Sequence, residues 1–128
     1  AITLFTGLVR EIYDDASDGE SIQSLYLEHY PGMTEKSLAN IAERANSKWD
    51  LLAIRIIHRI GELKPSDQIV LVGVASQHRK DAFDAACYVV DFLKSEAPFW
   101  KKQKTNKSSR WIQSRESDAE AIELWEKS

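Results

Sequence analysis

The sequence predicts an α+β domain, on three observations. Residues 24–30 and 53–60 alternate apolar and polar side chains, as half-buried strands do. Residues 35–48 and 77–95 repeat apolar side chains at helical spacing. Strands and helices follow one another without strict alternation, so the pattern is not that of a doubly wound α/β fold. The 128 residues suffice for one domain with one core. A mixed or antiparallel sheet with flanking helices is expected.

The elements read in order as follows. Ile2-Thr3-Leu4-Phe5-Thr6 looks like a strand already under way, which predicts a short N-terminal segment before it; Gly7 punctuates it and Val9-Arg10 continue it. The polar run 14–21 reads as an exposed loop. In 24–30, Leu25, Leu27 and His29 share one face, and Tyr26, Glu28 and Tyr30 the other. Pro31-Gly32 closes that strand, and Thr34 is the expected N-cap of the next helix. In 53–60, Ile54, Ile56, His58 and Ile60 share a face opposite Arg55 and Arg59. A turn is expected over 61–67. The apolar run 68–75 suggests a strand buried on both faces. Ser76 then caps the second helix, which Pro98 ends. Residues 101–110 read as a basic loop, Trp111-Ile112 as a short strand, and Ser117-Asp118-Ala119-Glu120 as the capping box of a last helix.

Several functional classes are excluded. The formal charge of -3 argues against a general polyanion binder. No apolar run is long enough for a bilayer-spanning helix, and there is neither a P-loop nor a dinucleotide fingerprint. The one cysteine, Cys87, cannot close an internal disulfide, so a reducing cytoplasm is the expected compartment. His29, His58 and His78 show no metal-ligand spacing, and no metal is expected.

Three constellations stand out. On the second helix, Phe83, Cys87 and Val90 form an apolar stripe whose next position is Lys94. That lysine either snorkels from the helix end or sits at a pocket edge with an anionic partner. Cys87, on the same stripe, is expected to be a core residue. Ser76-Gln77-His78-Arg79 lies between strand and helix, where backbone N–H groups favour an anion and His78 and Arg79 add donors; simple capping is the other reading. The segment 101–110 carries five cations and no acid, either a solvated loop or a cationic flap. His29 and His58 read as packed or surface histidines.

Several strings, taken in order, match a known family: Leu27-Glu28-His29-Tyr30-Pro31-Gly32-Met33-Thr34-Glu35, Ile57-His58-Arg59-Ile60-Gly61-Glu62-Leu63, Val72-Gly73-Val74-Ala75-Ser76-Gln77-His78-Arg79, Ala97-Pro98-Phe99-Trp100-Lys101-Lys102, Arg110-Trp111 and Ser114-Arg115-Glu116-Ser117. Along nearly its whole length the chain resembles the large, catalytic subunit of molybdopterin synthase. The resemblance implies a single α/β-hammerhead-like domain over 1–128, a homodimer, and a heterotetramer with a small ubiquitin-like sulfur carrier. The carrier's Gly-Gly tail, ending in a thiocarboxylate, would enter a pocket and pass sulfur to cyclic pyranopterin monophosphate. No cofactor or metal of its own is implied. Lys94 and Lys101 match the family's catalytic lysines. The implied substrate site comprises Phe5, Leu8, Val9, Arg10, His78, Arg79, Lys102, Gln103 and Arg115, the last expected from the partner protomer. Gln103 stands where an acid is common, and Ser66 where a turn glycine is frequent. A non-catalytic module gripping a Gly-Gly tail is the alternative, but it needs no such set of cations.

Overall fold

The computed structural model describes residues 1–10, 22–105, 109–112 and 116–127. Ten elements follow in order: β1 (Ile2–Leu8), β2 (Ile22–His29), α1 (Met33–Lys48), β3 (Leu51–His58), β4 (Gly61–Leu63), β5 (Gln68–Ser76), α2 (Arg79–Glu96), β6 (Phe99–Thr105), β7 (Ser109–Ile112) and α3 (Glu116–Lys127). They form two antiparallel sheets, one ordered β1-β5-β3 and the other β4-β2-β6-β7. The α+β expectation holds.

The first sheet is covered on one face only. Val72 and Val74 of β5 turn inward to Ile41 and Ala45 of α1 and to Ala82, Ala85, Ala86, Val89, Phe92 and Leu93 of α2. Phe5, Ile54 and Ile56 pack against the same core. The opposite face leaves Ile2 at 76% and Leu4 at 67% exposure. Strand β5 is therefore not buried on both faces. Its apolar run serves a helix-covered face and an open apolar one.

The buried side of α2 also differs from the expected stripe. Phe83 is 61% exposed and Cys87 is exposed too. The face built on small alanines goes inward because it lets the helix approach the sheet closely. Cys87 is thus a surface residue. Burial of its sulfur and the nearby Asp91 and Asp84 carboxylates push its thiol above the usual range. Helix α3 docks on α2 through Trp125, whose Nε1 donates to Asp91 Oδ2 at 2.7 Å. The Trp125 ring meets Trp49 and Tyr88 edge-on at 5.7 and 5.5 Å, and the Lys48 ammonium lies over all three rings.

Several local expectations are corrected. Helix α1 starts at Met33, one residue before Thr34, and Glu35 accepts a hydrogen bond from the Gly32 N–H. Gly32 takes a φ of 86°, which suits glycine. Thr34 instead accepts from the Tyr30 N–H and donates to the Pro98 carbonyl, tying the start of α1 to the end of the α2–β6 connection. Ser76 donates to the His78 carbonyl and does not cap α2, whose N-cap is His78. Strand β3 ends at His58, leaving Ile60 outside and exposed. The expected turn at 61–67 contains β4, whose three residues pair with Leu25–Leu27 of β2.

The largest correction falls on 101–110. The first part is strand β6, paired along its length with β2, and the last part enters β7. Its period-two pattern was hidden because the inward residues are lysine and glutamine. The expected loop at 14–21 lies outside the described residues.

Candidate functional site

A second, smaller core joins the two sheets. Val9, just past β1, is buried with Leu25, Leu27 and Leu63, and Ile69 packs against them. Its backbone is fixed by Val9 N–H to Asp67 O and Ser66 N–H to Val9 O, both 2.9 Å. Across β2, Leu27 lies opposite Lys101 and Leu25 opposite Gln103. Strand alternation therefore turns Lys101 and Gln103 toward the side that holds Val9.

Lys101 is half-buried there. Gln103 is 0% exposed, and among the described residues neither its Oε1 nor its Nε2 has a hydrogen-bond partner. A buried carboxamide left this way costs free energy unless something polar meets it. Lys102 goes to the opposite, exposed face of β6, where its ammonium lies 5.8 Å from the Trp111 ring centre. The two adjacent lysines thus serve different surfaces.

Lys94 lies exposed in the last turn of α2, where a cation also favours the helix dipole. Of its stripe, Phe83 and Cys87 are exposed and Val90 packs partly against the main core, while Lys94 itself faces solvent. Helix α2 follows β5 after two residues and packs back along it, which returns Lys94 toward the Gln68 end of that strand. Leu8, exposed, pairs with Gln68 at this same end, and Val9 and Arg10 follow it. Val9, Arg10, Lys94, Lys101 and Gln103 therefore belong to one end of the fold.

His78 and Arg79 do not. They open α2, and 15 residues at about 1.5 Å rise put them roughly 22 Å along the helix from Lys94. Both are exposed. Phe5, in the middle of β1, is half-buried and packs against the main core. Arg115 lies outside the described residues.

The residue that sequence reasoning undervalued is His58. Its ring stacks on Phe99 with centroids 3.7 Å apart and planes within 15°. Nδ1 sits 2.7 Å from the Arg59 carbonyl, which can only accept, so Nδ1 carries the hydrogen. Burial holds the imidazole below its usual pKa; the Arg59 hydrogen bond opposes this, and the Lys101 charge adds to it. The signal was a polar residue in phase with the apolar face of Ile54 and Ile56.

Among the described residues, no group of His, Cys, Asp and Glu could hold a metal ion, and no helix is long and apolar enough to cross a membrane. A cleft of about 570 Å³ lined by Asn40, Glu43, Arg44, Ser47, Lys48 and Tyr88 contains none of the expected site residues.

The relatives that this two-sheet α+β chain matches are catalytic subunits of an enzyme. The chain belongs to the MoaE protein family, whose model matches residues 1–96. The molybdopterin synthase catalytic subunit of Haemophilus influenzae is 53% identical over 125 residues, spanning 98% of this chain and 81% of that protein. The crystal structure of molybdopterin synthase from Staphylococcus aureus superposes with a TM-score of 0.81 at 41% identity, over 88% of this chain and 80% of that one. A Helicobacter pylori structure, a complex of subunits 1 and 2 of molybdopterin-converting factor, shares the fold with a TM-score of 0.71 at 20% identity, over 90% of this chain and 73% of that one.

Proposed function

We propose that this chain is the sulfur-transferring subunit of a molybdopterin synthase. It would take sulfur from the C-terminal thiocarboxylate of a small ubiquitin-like carrier and build the dithiolene on cyclic pyranopterin monophosphate. The observation that carries the site assignment is the half-buried Lys101 beside the fully buried, unpartnered Gln103, at the end of the fold that Lys94 and Arg10 share.

The chemistry needs such a place. A thiocarboxylate anion must approach an anionic cyclic phosphate, so fixed cations have to offset their repulsion. Lys94, exposed at the helix end, orients the carrier tail. Lys101, less solvated, stabilises charge developing at the acyl centre or moves a proton as the cyclic phosphate opens. The Gln103 carboxamide offers one donor and one acceptor to the pterin.

His78 and Arg79 are too far from Lys94 on one chain to share a small substrate with it. A second copy supplies them in this reading, with Arg115, and the reaction centre is composite. The open face of the first sheet, with Ile2, Leu4 and Ile57 exposed, is an apolar surface suited to burial by that copy. Lys102 contributes from the outer face, toward the carrier. The compartment is the cytoplasm, and the chain brings no cofactor of its own.

Reconstitution with thiocarboxylated carrier and cyclic pterin tests the reading. Dithiolene product is expected, and Lys101→Ala should lower kcat by roughly 100- to 1,000-fold, the usual loss for one charge-stabilising donor. Turnover unchanged by Lys94→Ala or Lys101→Ala removes those residues from the machinery. Sedimentation should return twice the chain mass.

A further inference from the structure

We propose that His58 is a positioning residue for Lys101, its bare Nε2 accepting a hydrogen bond from the lysine ammonium. The proposal rests on the catalytic reading of Lys101. Its basis is geometric. The imidazole is held on one side by the Phe99 ring and at Nδ1 by the Arg59 carbonyl, so it is fixed in orientation and tautomer. With the hydrogen on Nδ1, Nε2 keeps a lone pair and no proton. Phe99 and Lys101 are two residues apart on β6 and so project to the same face. The ring stacked on Phe99 therefore lies beside the row that carries Lys101, and its titration feels that charge.

The surrounding groups favour a neutral ring. From β6 the charged neighbour is Lys101. From β2, His29 lies directly opposite Phe99 in the ladder. On the ring's own strand end, the Arg59 guanidinium is drawn aside to the Gln68 carbonyl, Nη1 to O 3.2 Å. Burial adds to the preference for the uncharged form. A neutral imidazole can accept from an ammonium, whereas an imidazolium repels it. As pH falls through the lowered His58 pKa, the ring gains a proton, the hydrogen bond is lost and Lys101 is pushed out of place. Phe99 and His58 thus act through Lys101 and do not touch the reacting atoms.

Two measurements on the full chain test this. In the first, the His58 ring is titrated by NMR in the native protein and in Lys101→Gln. The midpoint is expected to rise when the ammonium is removed; an unchanged midpoint overturns the proposal. In the second, turnover with thiocarboxylated carrier is followed from about pH 5 to 8. His58→Phe keeps a ring for the Phe99 stack and removes Nε2. It should lose kcat on the order of tenfold or more, with KM little changed, and flatten the acid limb. His58→Gln restores an acceptor that does not titrate, and should recover part of the rate with the limb still flat. Equal losses in both variants, with the native acid limb retained, mean a merely structural stack and overturn the proposal. Should His58→Phe not fold, the ring titration decides alone. If Lys101→Ala turns over at full rate, the catalytic reading of Lys101 fails, and the titration still reports whether the two side chains meet.

Discussion

Gln103→Met is expected to make the protein more stable and less active. The wild-type carboxamide is 0% exposed, and among the described residues neither of its polar atoms has a partner. Burying such a group without compensation costs about 1–3 kcal/mol on the mutational scale. Methionine has similar length and volume, so it can fill the same space opposite Leu25 in the ladder without opening a cavity. Taking about 2 kcal/mol as the middle of that range and allowing up to ~1 kcal/mol for imperfect repacking leaves a net gain of about 1–2 kcal/mol. For a domain of this size that raises Tm by about 4–8 °C. Calorimetry and urea unfolding should agree on the sign, with the urea midpoint rising at constant slope. Turnover in the reconstituted reaction should fall, because the group that is costly in the folded chain is the one proposed to meet substrate. A Tm that is unchanged or lower would mean that the carboxamide already has polar partners in solution, and would overturn this expectation. A higher Tm with full activity would keep the energetic argument and remove Gln103 from the site.

Two further outcomes follow from the packing. Trp125→Phe keeps a ring against Trp49 and Tyr88 but strips Asp91 of the indole N–H. Leaving that partly buried carboxylate short of a donor should cost about 1–3 kcal/mol, read as lower Tm and earlier proteolysis within α3. Cys87 is exposed yet holds its proton more tightly than a free cysteine, so less of it is thiolate at a given pH. Iodoacetamide at about pH 8 should label it more slowly than a model thiol, and Asp91→Asn should speed the labelling.

The strands around Leu25 and Leu27 and around Val72 and Val74 were legible because branched and aliphatic side chains mark them. The two long helices were legible from their spacing. The face of α2 was not. Hydrophobicity ranks Phe83 and Cys87 above Ala82, Ala85 and Ala86, but close approach to a sheet selects the alanines. Strand β6 was read as a loop because Lys101 and Gln103 occupy the positions where a strand would ordinarily show apolar residues. What placed them inward was pairing with β2, a contact between segments more than seventy residues apart. The site suffered the same way. The family resemblance implied Lys94, Lys101 and Gln103, yet spacing could not show that His78 and Arg79 lie at the far end of α2. Nor could it show that Phe5 packs against the main core or that His58 stacks on Phe99.

The division of Lys101 and Lys102 between the two faces of β6 sets a rule for length variation in this chain. A strand repeats every two residues, so a single inserted or deleted residue between Pro98 and Lys101, with the ladder to β2 kept in register, exchanges the two lysines. The inward row would then carry Lys102, Gln103 would be turned outward and replaced in the core by a neighbour, and an insertion before Phe99 would also turn outward the ring that stacks on His58. Composition at the site would survive such a change while its wiring did not. A change of two residues there preserves the facing. Homologous chains aligned through this stretch should therefore differ in length by even numbers or not at all.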